Sequence, residues 1–427
     1  MCAGWSYSAY KNKVLPSPAS ARAGRAGLFI ARPSVFRFLH KNTPKNRLSV
    51  KRAVVTSPSG KTITFFTGHY YNSPRRAGFH NLADAMQGMG ARVNFVTVGY
   101  SFISTLRGDY RGKIPGIKEN TNRAVVIRPG LTSYVHYTAW HPHTLVLPAL
   151  DALTSPFMEK YGQGDLGGLL SIIKATDIFV FESMSALFLF KRCQAENPTA
   201  RYIYRVSDDV RILGSTHPKL VELEREIAPL FQCISIPTAW MEEKFKGLPQ
   251  LRLDRHGLDK AAYDACADSP YAPGTQNAVF VGINYLDEDF IRTAAAQNPH
   301  CCFHIIGPMA AKLPAANVSY LGELPFARTI PYIKFADVGL SALVYKKGFS
   351  ASFADSLKIL QYRYCGLPIV APDFIDLHRD GVFYYQPGDA ASMAQAMKEA
   401  LNTPKNPLWA QEARSWDEVA QDILGAV

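Results

Sequence analysis

The sequence predicts an α/β protein built as two Rossmann-like domains facing a cleft. Apolar runs of strand type alternate with helical spacing from residue 62 onward, the pattern of a parallel sheet covered on both faces. The alternation restarts beyond a break marked by Pro270, Pro273 and Gly274. A chain of 427 residues also has room for two to three domains, at about 100–200 residues each.

The elements follow in order. Thr62–Thr67 is a short apolar run that ends at Gly68 and reads as a strand. A helical pattern covers 78–89, and 92–98 and 124–127 read as strands. Residues 177–181 (Asp-Ile-Phe-Val-Phe) have the continuous apolar character of a buried strand, with a helix near 183–195. Arg201–Arg205 is a strand ending at Ser207-Asp208-Asp209. Residues 218–230 look helical, and Cys233–Ile236 is the next strand. In the second unit, 277–281 is a strand closed by Gly282, 287–297 a helix, and 302–306 a strand closed by Gly307. Phe326–Phe335 is helical, 338–343 a strand, 356–365 a helix, 367–371 a strand and 389–402 a helix. The organisation read from this is a basic extension over 1–60, expected to be disordered from its composition, a first domain over 61–260 and a second over 261–427.

Composition narrows the class. Hydrophobic residues at 47% and charged residues at 19% exclude a chain that is disordered throughout. The most apolar stretch, 166–190, is broken by Lys174, Asp177 and Glu182, so no membrane-crossing helix is expected. The net charge of +12 is uneven. Residues 1–60 carry eleven Lys or Arg and no acid, and the remainder carries 36 basic against 35 acidic residues. Within that remainder, 61–215 is net basic (17 against 11) and 216–427 net acidic (19 against 24). The extension fits a basic arm that touches anionic lipid or nucleic acid, an organelle transit peptide, or an over-extended translation start. No secretory signal is visible. The seven Cys show no C-x-x-C spacing, which argues against a zinc or disulfide framework and favours a reducing compartment.

In open α/β sheets, ligands bind beyond the carboxyl ends of the strands, so the residues there carry the functional reading. After the first strand come His69 and, ahead of a helix, Arg75 and Arg76, whose guanidinium forks suit phosphate oxygens. Asp208 and Asp209 place carboxylates at the cleft, where one can serve as general base or merely cap a turn. Lys358 stands in the first turn of a helix, against the dipole preference, and an anionic ligand at that helix start would explain it. Gln361 shares its face. Gly282 allows close backbone approach to a phosphate. Asp287-Glu288-Asp289 reads as an acidic helix start rather than a metal site, and His69 and His256 have no partners at metal spacing. No metal or other cofactor is expected.

These residues resemble a known family, the GumK-like glucuronosyltransferases of xanthan-type exopolysaccharide assembly, which are membrane-associated GT-B glycosyltransferases. The resemblance spans about 61–400. It rests on Ser73-Pro74-Arg75-Arg76, Tyr204-Arg205-Val206-Ser207-Asp208, His256-Gly257-Leu258-Asp259, Gly322-Glu323, Tyr332-Ile333-Lys334 and Lys358-Ile359-Leu360-Gln361-Tyr362 with Gly366-Leu367-Pro368. It implies metal-independent, inverting transfer of glucuronate from UDP-glucuronate to a polyprenyl-diphosphate-linked oligosaccharide. The expected place of work is the cytoplasmic face of the bacterial inner membrane. By position it implies Asp208 as general base, and Gly282, Asn284, Glu323, Tyr345, Leu357, Lys358 and Gln361 as nucleotide-sugar contacts. Asn284 and Leu357 each stand where the family has Met, and Tyr345 aligns only approximately. Arg75, Arg76 and His69 are expected at the acceptor or its phosphates. The basic half would face an anionic membrane, with Phe102, Ile103, Leu106, Leu145, Val146, Leu147 and Leu150 either in the core or dipping into the interface. Competing readings are the same fold with UDP-glucose or GDP-mannose, a nucleic-acid binder using the basic arm, and a dinucleotide oxidoreductase. No G-x-G-x-x-G follows the first strand, which argues against the oxidoreductase.

Overall fold

A computed structural model describes residues 58–214, 216–283, 285–309, 313–346, 353–375 and 379–427. The extension therefore lies outside the described residues, apart from its last three. The first sheet comprises β1 (Thr62–Thr67), β2 (Arg92–Ser101), β3 (Ala124–Arg128), β4 (Leu131–Thr138), β5 (Ile178–Glu182), β6 (Arg201–Arg205), β7 (Cys233–Ile236) and β8 (Leu251–Leu253). Their order is β3-β4-β2-β1-β5-β6-β7-β8. Only β3 and β4 pair antiparallel; the other neighbours are parallel. Every residue of β1 is buried, as expected for a central parallel strand covered on both faces.

A two-residue strand, β9 (Gly257–Leu258), leads into the second sheet. That sheet comprises β10 (Gln276–Val281), β11 (Cys301–Ile306), β12 (Val318–Gly322), β13 (Val338–Leu340), β14 (Ile369–Pro372) and β15 (Val382–Tyr385). It is wholly parallel, in the order β12-β11-β10-β13-β14-β15. Two Rossmann-like domains are thus present, as the alternating pattern predicts.

The ends of the chain modify the domain picture. After β16 (Arg414–Ser415), which pairs with β9, the helix Trp416–Leu424 packs into the first domain. Its Trp416, Val419, Ala420 and Ile423 join Ile63, Phe65, Phe79 and Leu82 in one apolar cluster. The last helix of the 261–427 segment therefore belongs to the core of the first domain. Gly257 makes this junction possible, because a Cβ there would lie 2.7 Å from the Trp416 backbone. The His256-Gly257-Leu258-Asp259 motif is accordingly a splice: Gly257 and Leu258 pair with β16, and Asp259 caps the helix Lys260–Ala265 through the Ala262 N–H at 3.1 Å. Lys334 is structural in the same way. Its ammonium donates to the carbonyls of Tyr263 and Cys266 at 2.6 and 2.7 Å, satisfying the end of that helix.

Candidate active site

The carboxyl ends of both sheets face a shared cavity of about 240 Å³. The second domain supplies its floor. Gly282 and Gly307, which close β10 and β11, touch backbone to backbone. A Cβ on Gly307 would come within 1.7 Å of the Gly282 carbonyl oxygen, and Gly307 has φ +145, so only glycine fits. Above this floor stands the start of the helix Leu357–Tyr364, which contributes Leu357, Lys358 and Gln361. The first domain contributes His69, Arg75, Arg76 and Tyr110.

Lys358 is the most unusual of these groups. It is 7% exposed, and its Nζ has no hydrogen-bond partner among the described residues. The ammonium lies 4.7 Å over the Phe280 ring, and burial pushes its pKa down to about 7. Ser356, at the N-cap of the same helix, makes no capping bond, and its buried Oγ is also without a partner. Buried polar atoms are rarely left unpaired. Here an ammonium and a hydroxyl are both unpaired at one helix start, aimed at a cavity where the backbone dipole also favours an anion. Lys358 was legible in the sequence because it opposes the dipole. Ser356 carried no signal there beyond that of an ordinary cap.

Arg75 crosses the cleft. Its Nε and Nη2 donate to the two oxygens of Glu323 at 2.6 and 2.9 Å, and its guanidinium stacks 4.9 Å over the Tyr110 ring. This bond holds the Glu323 carboxyl below its usual pKa. An expected phosphate contact and an expected nucleotide contact thus satisfy each other. Both side chains are about one-third exposed, so a double-mutant cycle of Arg75→Ala and Glu323→Ala in denaturant unfolding should give a coupling below about 1 kcal/mol. A clasp that weak can be opened by a nucleotide, whereas a coupling of several kcal/mol would mean a permanent strut. Arg76 is bonded to Asp84, which also holds Arg128.

Asp208 follows β6, and its N–H donates to Ser183 Oγ at 3.0 Å. It does not line the cavity directly, whereas His69 does. Burial raises the Asp208 pKa, the Glu182 charge raises it further, and His69 lowers it. The contacts of the two neighbouring aspartates differ. Asp209 is spent on Arg211, at 3.0 and 2.9 Å, and on Lys244 at 2.9 Å, and it also caps the Arg211 N–H. Glu182, which the sequence reading treats only as an interruption of an apolar stretch, accepts the hydroxyl of Ser207, the residue before Asp208, at 2.9 Å and lies 3.5 Å from His69 Nε2. Tyr345 is 61% exposed, packs edge-on against Phe374 at 5.4 Å and lies outside the cavity lining. Asn284 lies outside the described residues. In the acidic triplet, Asp287 caps its helix through Phe290 N–H at 3.0 Å and accepts Tyr385 O–H at 2.8 Å.

Comparison with known proteins agrees with this geometry. Residues 65–237 match the family described as glucuronosyltransferase GumK, N-terminal domain, and residues 274–403 match glycosyl transferases group 1. The chain is 28% identical over 360 residues to the UDP-glucuronate:glycolipid 2-beta-glucuronosyltransferase of Xanthomonas campestris pv. campestris, covering 84% of this chain and 88% of that protein. Among solved structures, Anabaena HepE in complex with UDP and glucose superposes with a TM-score of 0.55 at 12% identity, covering 85% of this chain and 98% of HepE. A UDP-forming trehalose-phosphate synthase from Burkholderia xenovorans gives 0.54 at 13% identity, with the same coverage of 85% and 98%. Two sheets joined across a cleft, a lysine at the cavity with no partner among the described residues and these matches converge: the chain is a glycosyltransferase of GT-B fold whose first domain is similar to the GumK N-terminal domain.

Proposed function

We propose that the protein transfers glucuronate, with inversion, from UDP-glucuronate to a hydroxyl of a polyprenyl-diphosphate-linked oligosaccharide. The observation that carries this reading is the partnerless Lys358 ammonium at the floor of the interdomain cavity. As the glycosidic bond breaks, its electron pair goes to the diphosphate of the departing UDP. Lys358, Ser356 Oγ and the helix start stabilise that charge. Asp208 takes the proton of the acceptor hydroxyl as its oxygen bonds to the anomeric carbon. Arg75 and Arg76 meet phosphate or carboxylate oxygens once Glu323 is released to the nucleotide. No metal is needed in this scheme, since lysine and helix dipole supply the positive charge. The Xanthomonas relative's name supports both the donor and a glycolipid acceptor.

A lipid-linked acceptor calls for a membrane-facing surface, and the first domain offers one. Phe102, Leu106, Val146, Leu147, Leu153 and Phe157 are all exposed by half or more. They lie on the helices Phe102–Leu106 and Pro148–Met158 and the loop between strand and helix, tied together by the Arg107–His143 contact and the Ile103 N–H to the Ala139 carbonyl at 3.2 Å. Val146 keeps a strained φ of +71 there. Of the residues weighed between core and interface, Phe102, Leu106, Val146 and Leu147 stand outside the core. No described helix is long and apolar enough to cross a membrane, so the proposal is peripheral attachment at the cytoplasmic face of the inner membrane.

Incubation of membranes containing the protein with radiolabelled UDP-glucuronate should yield an organic-extractable labelled lipid. Label entering lipid from UDP-glucose or GDP-mannose, and not from UDP-glucuronate, would overturn the donor assignment.

A further inference from the structure

Glu182 is the last residue of β5, between β1 and β6, and its side chain is 8% exposed. Oε2 accepts the Thr67 hydroxyl at 2.6 Å and the Gly68 N–H at 2.9 Å. Oε1 accepts the Ser207 hydroxyl at 2.9 Å and lies 3.5 Å from His69 Nε2. One carboxylate therefore joins the ends of three adjacent strands, each of which leads into the catalytic cleft. Burial alone would raise its pKa, but the contacts from His69, Thr67 and Gly68 outweigh burial and bring it down to about 2. A fully charged buried carboxylate is costly unless it is paired, and His69 is the ionisable group that touches it.

The other charged and titratable groups around it are engaged elsewhere. His80, 5.4 Å from the His69 ring, is kept neutral by burial, which pushes its pKa down to about 3. Asp209 is neutralised by Arg211 and Lys244. Arg111, whose Nη1 donates to the Gly68 carbonyl at 2.9 Å, is paired with Asp109. Arg205, the register partner of Glu182 on β6, donates to Ser235 Oγ and the Asp254 carbonyl. Asp208 remains as the like charge that Glu182 acts upon.

We propose that Glu182 is a positioning residue of the transfer site, fixing His69 beside the acceptor hydroxyl and holding the Ser207 turn so that Asp208 removes the hydroxyl's proton. This rests on the transfer reading above. With Nε2 3.5 Å from Glu182 Oε1, the imidazole has one remaining nitrogen, Nδ1. It has no hydrogen-bond partner among the described residues, and His69 lines the cavity. The acceptor hydroxyl oxygen is aligned by the His69 ring, and its single O–H donates to Asp208. As that oxygen attacks the anomeric carbon, the proton passes to Asp208 and UDP leaves with the bonding electrons. The Glu182 charge strengthens Asp208 as a base and holds the Ser207 turn that carries it.

The test uses the full chain in four forms: wild type, Glu182→Gln, Glu182→Asp and His69→Gln. Glu182→Gln should lower kcat at least about 100-fold, in the range of a lost proton-transfer contribution, with UDP affinity unchanged within about twofold. The acid limb of its kcat/KM profile should move to lower pH, because Asp208 loses a like charge. Glu182→Asp should restore part of the rate, and His69→Gln should reproduce the loss in kcat. Nitrogen-15 spectra of histidine-labelled protein should show the His69 Nε2 signal shifted between wild type and Glu182→Gln, because its carboxylate neighbour is lost. Wild-type kcat in His69→Gln, an unmoved acid limb with no rescue by Asp, or an unchanged His69 Nε2 signal would each overturn the proposal. The spectra need no turnover, so they still decide the pairing if the wild type proves to transfer no glucuronate and the functional reading itself fails.

Discussion

Asp208→Asn is expected to cut kcat by about 10²–10⁴-fold, the usual worth of a positioned general base, while UDP binds as before. The amide keeps the shape of the side chain and cannot take a proton. Ser183 Oγ contacts the backbone N–H of residue 208, so the turn itself should survive the change. Stability provides the control, and its sign is fixed. Burial and Glu182 raise the folded-state pKa of Asp208 above its ordinary value. The folded protein therefore holds this proton more tightly than the unfolded chain. A penalty for ionisation grows as pH rises from the unfolded to the folded pKa and is complete above it. At neutral pH, Asp208→Asn should thus leave the melting temperature unchanged or raise it. In wild type, kcat/KM for the acceptor should climb with pH through a midpoint above that of an ordinary aspartate. Stopped assays across pH, with calorimetry for UDP, read both quantities. A nearly active Asp208→Asn enzyme would remove the base from the mechanism and leave His69 as the group at the cavity able to take the proton.

How much of this was legible in the sequence depends on the range over which each feature is encoded. The Thr62–Thr67 run and the Lys358 helix are local, and their residues alone announce a buried strand and an anion-seeking turn. Asp208 against Asp209 could not be resolved by spacing. The difference in their contacts comes from Lys244, distant in sequence and brought back beside β6. Glu182 was hidden for the same reason: it meets Thr67 across 115 positions, and only the β1-β5-β6 order makes them neighbours. The short outer strands Val318–Gly322 and Val382–Tyr385, only partly buried, lack the continuous apolar signal that marks central strands. The helix Trp416–Leu424 is strongly amphipathic, but nothing local says which domain its apolar face will meet. The exposed apolar side chains of 102–106 and 146–157 invert the usual rule that such residues go inside. That inversion, invisible in composition, is what makes the surface a membrane-facing proposal.

Lys358→Ala should weaken UDP binding roughly 10- to 150-fold, from about 1.5–3 kcal/mol for a hydrogen bond to a charged group. The effect should fall on binding and on the departure of UDP, leaving the acceptor-side acid limb in place. The buried ammonium carries a testable pH signature of its own. In the free protein its pKa is brought down to about 7 by burial, so the amine titrates near neutrality. A diphosphate beside it returns the counter-charge that burial removed and raises that pKa in the complex. Binding then takes up a proton. Affinity is fully expressed below pH 7 and falls as pH rises above it, approaching tenfold per pH unit until the pKa of the complex is reached. Calorimetry at pH 8 in two buffers of different ionisation enthalpy should report uptake approaching one proton per UDP in wild type and almost none in Lys358→Ala. The variant should also be no less stable than wild type, since it loses a buried cation that has no partner among the described residues. A flat affinity from pH 7 to 9 in the wild type would mean that Lys358 does not meet the diphosphate, and the cavity floor would then have to bind its anion through the helix start and Ser356 alone.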